Sequence, residues 1–224
     1  MSEEFSIVLI GDFNPKIYQP LWFANQQLVR ESEAEAATVE LVHSDFTSFS
    51  TDWFALQVTR ERFTATVKAA AYRRHLLDLV FGTFSKLSHT PIAQLGINAA
   101  TRLRFRSTQD WNAFGHFLVP KAHWATILKT PGTRSVTIEG MRTDDFLGRI
   151  NVIAEPVQET PDQALIRIND HYDRPFDATG DNASYFLGIL EKCYDDSLSR
   201  AKAMTDSLLE IFLKQSAFDD GLAE

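Results

Sequence analysis

One order of elements is written twice along this chain: a strand, a helix, three short strands and a helix. A chain that repeats such a unit must bury one face of each strand set and one stripe of each helix, which leaves a layered sheet-and-helix fold as the natural solution. In the first copy, residues 5–10 (FSIVLI) read as a buried strand closed by Gly11-Asp12. Asn14-Pro15 then opens a helix carrying Ile17, Leu21, Trp22, Leu28 and Val29. Glu31 to Ala37 is acidic and alanine-rich, a surface connection or a helix end. Three strand-like runs follow, in which Val39 and Leu41, then Phe54, Leu56 and Val58, then Phe63, Ala65 and Val67 alternate with polar or small residues. A helix over about 69–87 places Leu76, Leu77, Val80, Phe81 and Phe84 on one face.

The second copy begins with a long strand whose odd positions, Ala93 to Phe105, are apolar or small apart from Thr101. Ser107 to Asp110 opens a helix with Trp111, Phe114, Phe117 and Leu118, and Pro120 interrupts it before a turn around Trp124, Ile127 and Leu128. Strands are expected over 135–141, 148–155 and 163–169. A final helix capped by Asp181-Asn182 runs to about Lys214, with Phe186, Ile189, Leu190, Cys193, Ala201, Met204, Leu208, Ile211 and Phe212 in one apolar stripe. The expected fold is α+β: two tandem βαβββα-type units, residues 1–90 and 91–215, joined as one compact domain. Their mostly antiparallel, curved sheet is covered by helices on one side, with a long C-terminal helix and an acidic tail over 216–224.

Composition narrows the function classes. A formal net charge of −8 disfavours a chain that coats nucleic acid or an anionic membrane through its overall field. With one cysteine, Cys193, neither an intrachain disulfide nor a cysteine-based zinc site is expected, which fits a reducing cytoplasm. The acidic start MSEEF is unlike a secretory signal, and no apolar run reaches the roughly 20 residues of a membrane span. The expectation is therefore a cytoplasmic chain without membrane contact.

Three blocks, QVTRERF (residues 57–63), QLGINAATRLRF (94–105) and ALIRINDHYD (164–173) before a long terminal helix, resemble a sporadically distributed family of uncharacterised bacterial proteins. The resemblance implies a fold and no activity. The doubled unit is also similar, at the level of fold, to the saddle of the TATA-box-binding protein, and function does not follow from that likeness.

The strongest functional signal is a set of arginines. Arg102, Arg104 and Arg106 occupy even positions opposite the apolar odd ones, so they leave one strand face at steps of roughly 6.5–7 Å. By the same parity Arg149 opposes Ile150 and Val152, and Arg167 opposes Ile166 and Ile168. Five cations on one face cost free energy unless neutralised by a ligand, a partner or the protein's own carboxylates. Carboxylates are available in the terminal segment 181–224, which holds nine acidic residues against four basic.

Other chemistry is faint. No Gly-x-Ser-x-Gly elbow, phosphate-binding Gly-x-x-x-x-Gly-Lys loop or Gly-x-Gly-x-x-Gly turn is present, so no catalytic residue is assigned and no cofactor is expected. Among His43, His75, His89, His116, His123 and His171, no pair has helical metal-ligand spacing, Pro120 separating the one pair seven apart, so no metal site is assigned. The run from Asn169 to Asp173 could clamp a cation and reads better as a strand end and turn. Adjacent carboxylates such as Asp195-Asp196 diverge by about 100° on a helix and read as solvated surface.

The expected function is a non-enzymatic protein-interaction or scaffold subunit, oligomeric, in a bacterial multiprotein system of the defence type. Its contacts would come from the arginine face and from Met204, Leu208, Ile211 and Phe212 on the terminal helix. The alternative is a nucleic-acid-binding module using the arginine-lined face. A third possibility is a small-ligand or enzyme pocket between sheet and helices.

Overall fold

Strand parity decides the architecture. In β1 (Ser2–Gly11), Phe5, Ile7 and Leu9 are buried while the residues between them point to the other side of the sheet. The computed structural model describes residues 2–157, 160, 162–176 and 182–220, with residues 182 and 216–220 described by backbone alone. After β1 come α1 (Pro20–Asn25), α2 (Glu31–Glu35), β2 (Thr38–Val42), β3 (Phe46–Ser50), β4 (Ala55–Thr59), β5 (Arg62–Val67) and α3 (Arg73–Lys86). The chain continues through β6 (Ile92–Arg104), α4 (Thr108–Leu118), β7 (Val136–Met141), β8 (Gly148–Pro156), β9 (Gln163–Asp173) and α5 (Asn182–Asp220).

The fold is α+β, with nine strands in one curved, open, wholly antiparallel sheet of order β2-β3-β4-β5-β1-β6-β9-β8-β7. β1 and β6 lie side by side at its middle. On each flank the strand that opens a run pairs with the strand that closes it, β1 with β5 and β6 with β9.

The first run holds four strands after its helices, one more than the alternating patterns predict. The missed strand is β3, in which Thr47 and Ser48 are buried beside Phe49 and erase the alternation. Their burial is satisfied by hydrogen bonds: the Thr47 hydroxyl donates to the Pro15 carbonyl (2.8 Å) and the Ser48 hydroxyl to Glu40 Oε2 (2.6 Å). The helix expected after Asn14 is also divided. Asn14 Oδ1 accepts from the Lys16 amide to start one 3₁₀ turn, Pro15–Ile17, and Pro20 then opens α1 separately. Gln27, at φ 61°, leaves the helical region, and α2 begins where Glu33 accepts from the Arg30 amide (2.8 Å).

Helices cover one face of the sheet, and α5 spans it. Its first half, including Ala183, Phe186, Ile189, Leu190, Tyr194 and the free thiol of Cys193, packs in a core with β1, β4, β5 and α3. Its second half, with Ala201, Met204, Leu208 and Phe212, packs in another core with Leu103, Phe114, Ile166 and Ile168. Phe212 meets the rings of Phe114, Phe117 and Phe105 at centroid separations of 5.2, 5.6 and 6.4 Å.

A buried ionic cluster ties the β7–β8 loop to α5 on this covered side. The Arg142 side chain is 2% exposed and pairs with Asp170, itself 2% exposed, and with Asp144. Its guanidinium lies 3.8 Å from the centroid of the Tyr172 ring. Arg200 reaches the same two carboxylates from α5 at 3.5 Å each. Burial works against the Arg142 charge, but the hydrogen bonds of Asp144 and the charge of Asp170 outweigh it and raise its pKa. Hydrogen bonding from Arg142 holds the Asp144 carboxyl below the usual range. Burial pushes the Tyr172 phenol up to about 12, and its oxygen lies 2.8 Å from the Ser197 hydroxyl.

Candidate functional site

The opposite face of the sheet carries no helix among the described residues. Reading across in register, one row runs Thr38, Ser50, Ala55, Thr66, Ser6, Asn98, Asn169, Asn151 and Glu139 through all nine strands. At its centre the Asn169 amide donates to Asn98 Oδ1 (2.5 Å), and the Asn98 amide reaches the Ser6 carbonyl (3.5 Å). Gly96 makes room for this: a Cβ there would lie 2.7 Å from Asn169 Nδ2. Curvature turns this part of the face into a hollow of about 560 Å³, lined by Ser6, Thr64, Asn98, Asn151 and Asn169 among others.

The arginines fall on this face in different rows. Arg102 stands opposite Leu165, Arg167 opposite Ala100 and Ile153, and Arg149 opposite His171, so no two guanidiniums directly oppose each other. Register, which parity alone does not reveal, therefore removes much of the repulsion expected from five clustered cations. Arg106 is not part of the ladder, because β6 ends at Arg104. There Ser107 Oγ accepts from the Asp110 amide, starting α4, and Arg106 is an exposed partner of Asp110 at 3.7 Å.

Among the described residues, neutralisation comes from the sheet itself and not from the terminal segment. Arg149 pairs with Glu139 on β7 (3.0 Å) and Asp173 on β9 (3.8 Å), and Arg167 pairs with Glu155 on β8 (2.6 Å). α5 lies on the covered side, where Asp206 pairs with Lys202 and Glu210 with Lys214. At the far end of the face the balance changes. Arg102 has a long hydrogen bond to Gln163 Oε1 (3.4 Å), and neither Arg102, Arg104 nor Arg134 has a carboxylate within ion-pair distance among the described residues. Arg134 lies in the segment before β7, off the parity pattern, and only the fold brings it to this end of the face.

The polar run from Asn169 to Asp173 lies within β9, so its side chains alternate. Asn169, His171 and Asp173 face the open side, whereas Asp170 and Tyr172 enter the buried cluster, so the five do not converge on one cation. Of the terminal-helix contact candidates, Phe212 is 6% exposed, Met204 and Leu208 pack in the same core, and Ile211 faces solvent. Another hollow, about 500 Å³, lies against α4. There the Lys121 ammonium donates to the Gly115 and Val119 carbonyls and to Thr133, closing the helix C-terminus, and burial lowers its pKa.

The two outer strands differ. β2 carries a bulge between Val39 and Leu41, which interrupts its edge. β7 pairs with β8 in unbroken register from Val136–Ala154 to Met141–Arg149, and it contains neither proline nor lysine. Among the described residues no strand pairs with its outer edge, and Ile138 is 62% and Met141 85% exposed.

No protein-family model matches the chain, and no curated protein matches it. Among solved structures, the di-domain ARO/CYC BexL from the BE-7585A biosynthetic pathway aligns over 91% of this chain and 98% of its own, at 14% identity and a TM-score of 0.24. So low a score carries no argument about fold or function. No helix among the described residues is long and apolar enough to cross a membrane.

Proposed function

We propose that this chain is a non-enzymatic interaction protein, a self-associating subunit of a bacterial multiprotein system. The observation that supports it is the β7 edge: a regular strand with exposed Ile138 and Met141, at the end of an antiparallel sheet. Such an edge presents a row of backbone N–H and C=O groups without partners and is a template for another strand. The sequence VTIEGM favours one two-fold register. Centred on Ile138, it sets isoleucine against isoleucine and Thr137 against Glu139 of the second copy. Centred on Glu139, it would set two carboxylates against each other. Pairing would join two nine-stranded sheets with their open polar faces continuous. Light scattering across a concentration series tests this. A dimer is expected for the native chain, and Ile138→Lys, which places charges at the two-fold, is expected to return the monomer. A native chain that stays monomeric at every concentration, or a variant that dimerises equally well, would remove the support.

The alternative of a nucleic-acid-binding face has less support. Arg149 and Arg167 are already matched by carboxylates, and no aromatic ring lines the central hollow for base stacking.

A further inference from the structure

We infer that the end of the open face around Arg102 and Arg134 is a binding site for an oxyanion, a phosphate or carboxylate group. A cleft of about 620 Å³ there is lined by Arg102, Arg134, Ser135, Glu155, Pro156 and Leu165, with Val157. Two of these residues are guanidiniums from separate parts of the chain, brought together by the fold. Glu155, the one carboxylate in the lining, is bound to Arg167 at 2.6 Å and so is already neutralised. Among the described residues, the partner of Arg102 is the side-chain carbonyl of Gln163, at 3.4 Å. Arg104 follows two residues along the same strand face, adding a third cation without a carboxylate partner among the described residues.

This local excess of positive charge stands in a chain whose formal net charge is −8. On the neighbouring strands, Glu139 and Asp173 pair with Arg149 and Glu155 pairs with Arg167. Guanidiniums present paired N–H donors that match the two oxygens of a carboxylate or phosphate, and the Ser135 hydroxyl adds a further donor. No aromatic ring among the described residues lines the cleft, so the recognised feature is the oxyanion itself and not an attached base or ring. The site adjoins the start of β7 but is built from residues of one chain, so binding and self-association are measured separately.

Titration of the full chain with inorganic phosphate and, in parallel, with citrate, at constant ionic strength in chloride, tests the site. Saturable binding of at least one probe is expected, with amide NMR shifts centred on Ser135 and Leu165. Saturation by phosphate alone assigns a phosphate ligand, and saturation by citrate alone assigns a carboxylate. Arg102→Gln and Arg134→Gln are each expected to weaken binding about tenfold, the scale of one charge-assisted hydrogen bond. Arg62→Gln, an exposed arginine at the opposite end of the sheet, is expected to leave it unchanged. The absence of saturable binding by either probe, shifts centred elsewhere, or equal weakening by Arg62→Gln would each overturn the assignment.

Discussion

Asp170 and Arg167 lie three residues apart on β9 and face opposite ways, and the ion pairs they make have different physical roles. Asp170 joins Arg142 and Arg200 beneath α5, where water is excluded. Arg167 joins Glu155 on the open face, where the two side chains are 46% and 28% exposed. In the buried pair each charge depends on the other, because an unmatched ion there has no solvent to turn to. In the open pair water can replace either partner at small cost. One strand thus places a fixed charge lock on one side and an adjustable polar surface on the other.

The contrast can be broken most directly at Asp170. Asp170→Ala is expected to lower unfolding free energy by about 3–5 kcal/mol, because it leaves two guanidiniums sharing the one carboxylate of Asp144, and urea denaturation followed by circular dichroism measures it. A loss below about 1 kcal/mol would mean that water reaches the cluster.

Asp144→Asn should cost less, about 2 kcal/mol at pH 7, since that carboxylate is partly solvated. Its folded-state pKa is depressed below 3.8, so its contribution is complete above the unfolded value and fades as pH falls through the folded one. The stability gap between native and variant chains should therefore be constant from pH 7 to about 5 and close on acidification below about 4. A gap that is unchanged at acid pH would contradict the assigned ion pair.

The smallest effect is expected from Arg167→Gln, within about 1 kcal/mol, and that loss should shrink further in high salt. A loss as large as that of Asp170→Ala would erase the distinction between the two faces.

Much of the fold is legible from residue pattern. Phe5, Ile7 and Leu9, or Ile166 and Ile168, declare the buried side of their strands, and the stripe from Phe186 to Phe212 declares α5. β3 is not legible, because Thr47 and Ser48 are buried by hydrogen bonds to Pro15 and Glu40, contacts that no periodicity encodes. On the open face, parity correctly orients Arg102, Arg104, Arg149 and Arg167. It is silent about which carboxylate each would meet, since Glu139 and Glu155 become neighbours only through strand register. The asparagine row and Arg134 are hidden for the same reason. Asn151 can be oriented by its neighbours Ile150 and Val152, but its alignment with Asn98 and Asn169 is a property of three strands at once.

α5 follows every strand of the sheet in the chain, yet it supplies apolar surface to both cores. During synthesis the strands therefore emerge before the element that shields them from water. Until α5 leaves the ribosome, the nascent sheet has greasy surface on display, and this interval is when a holding chaperone has the most to protect.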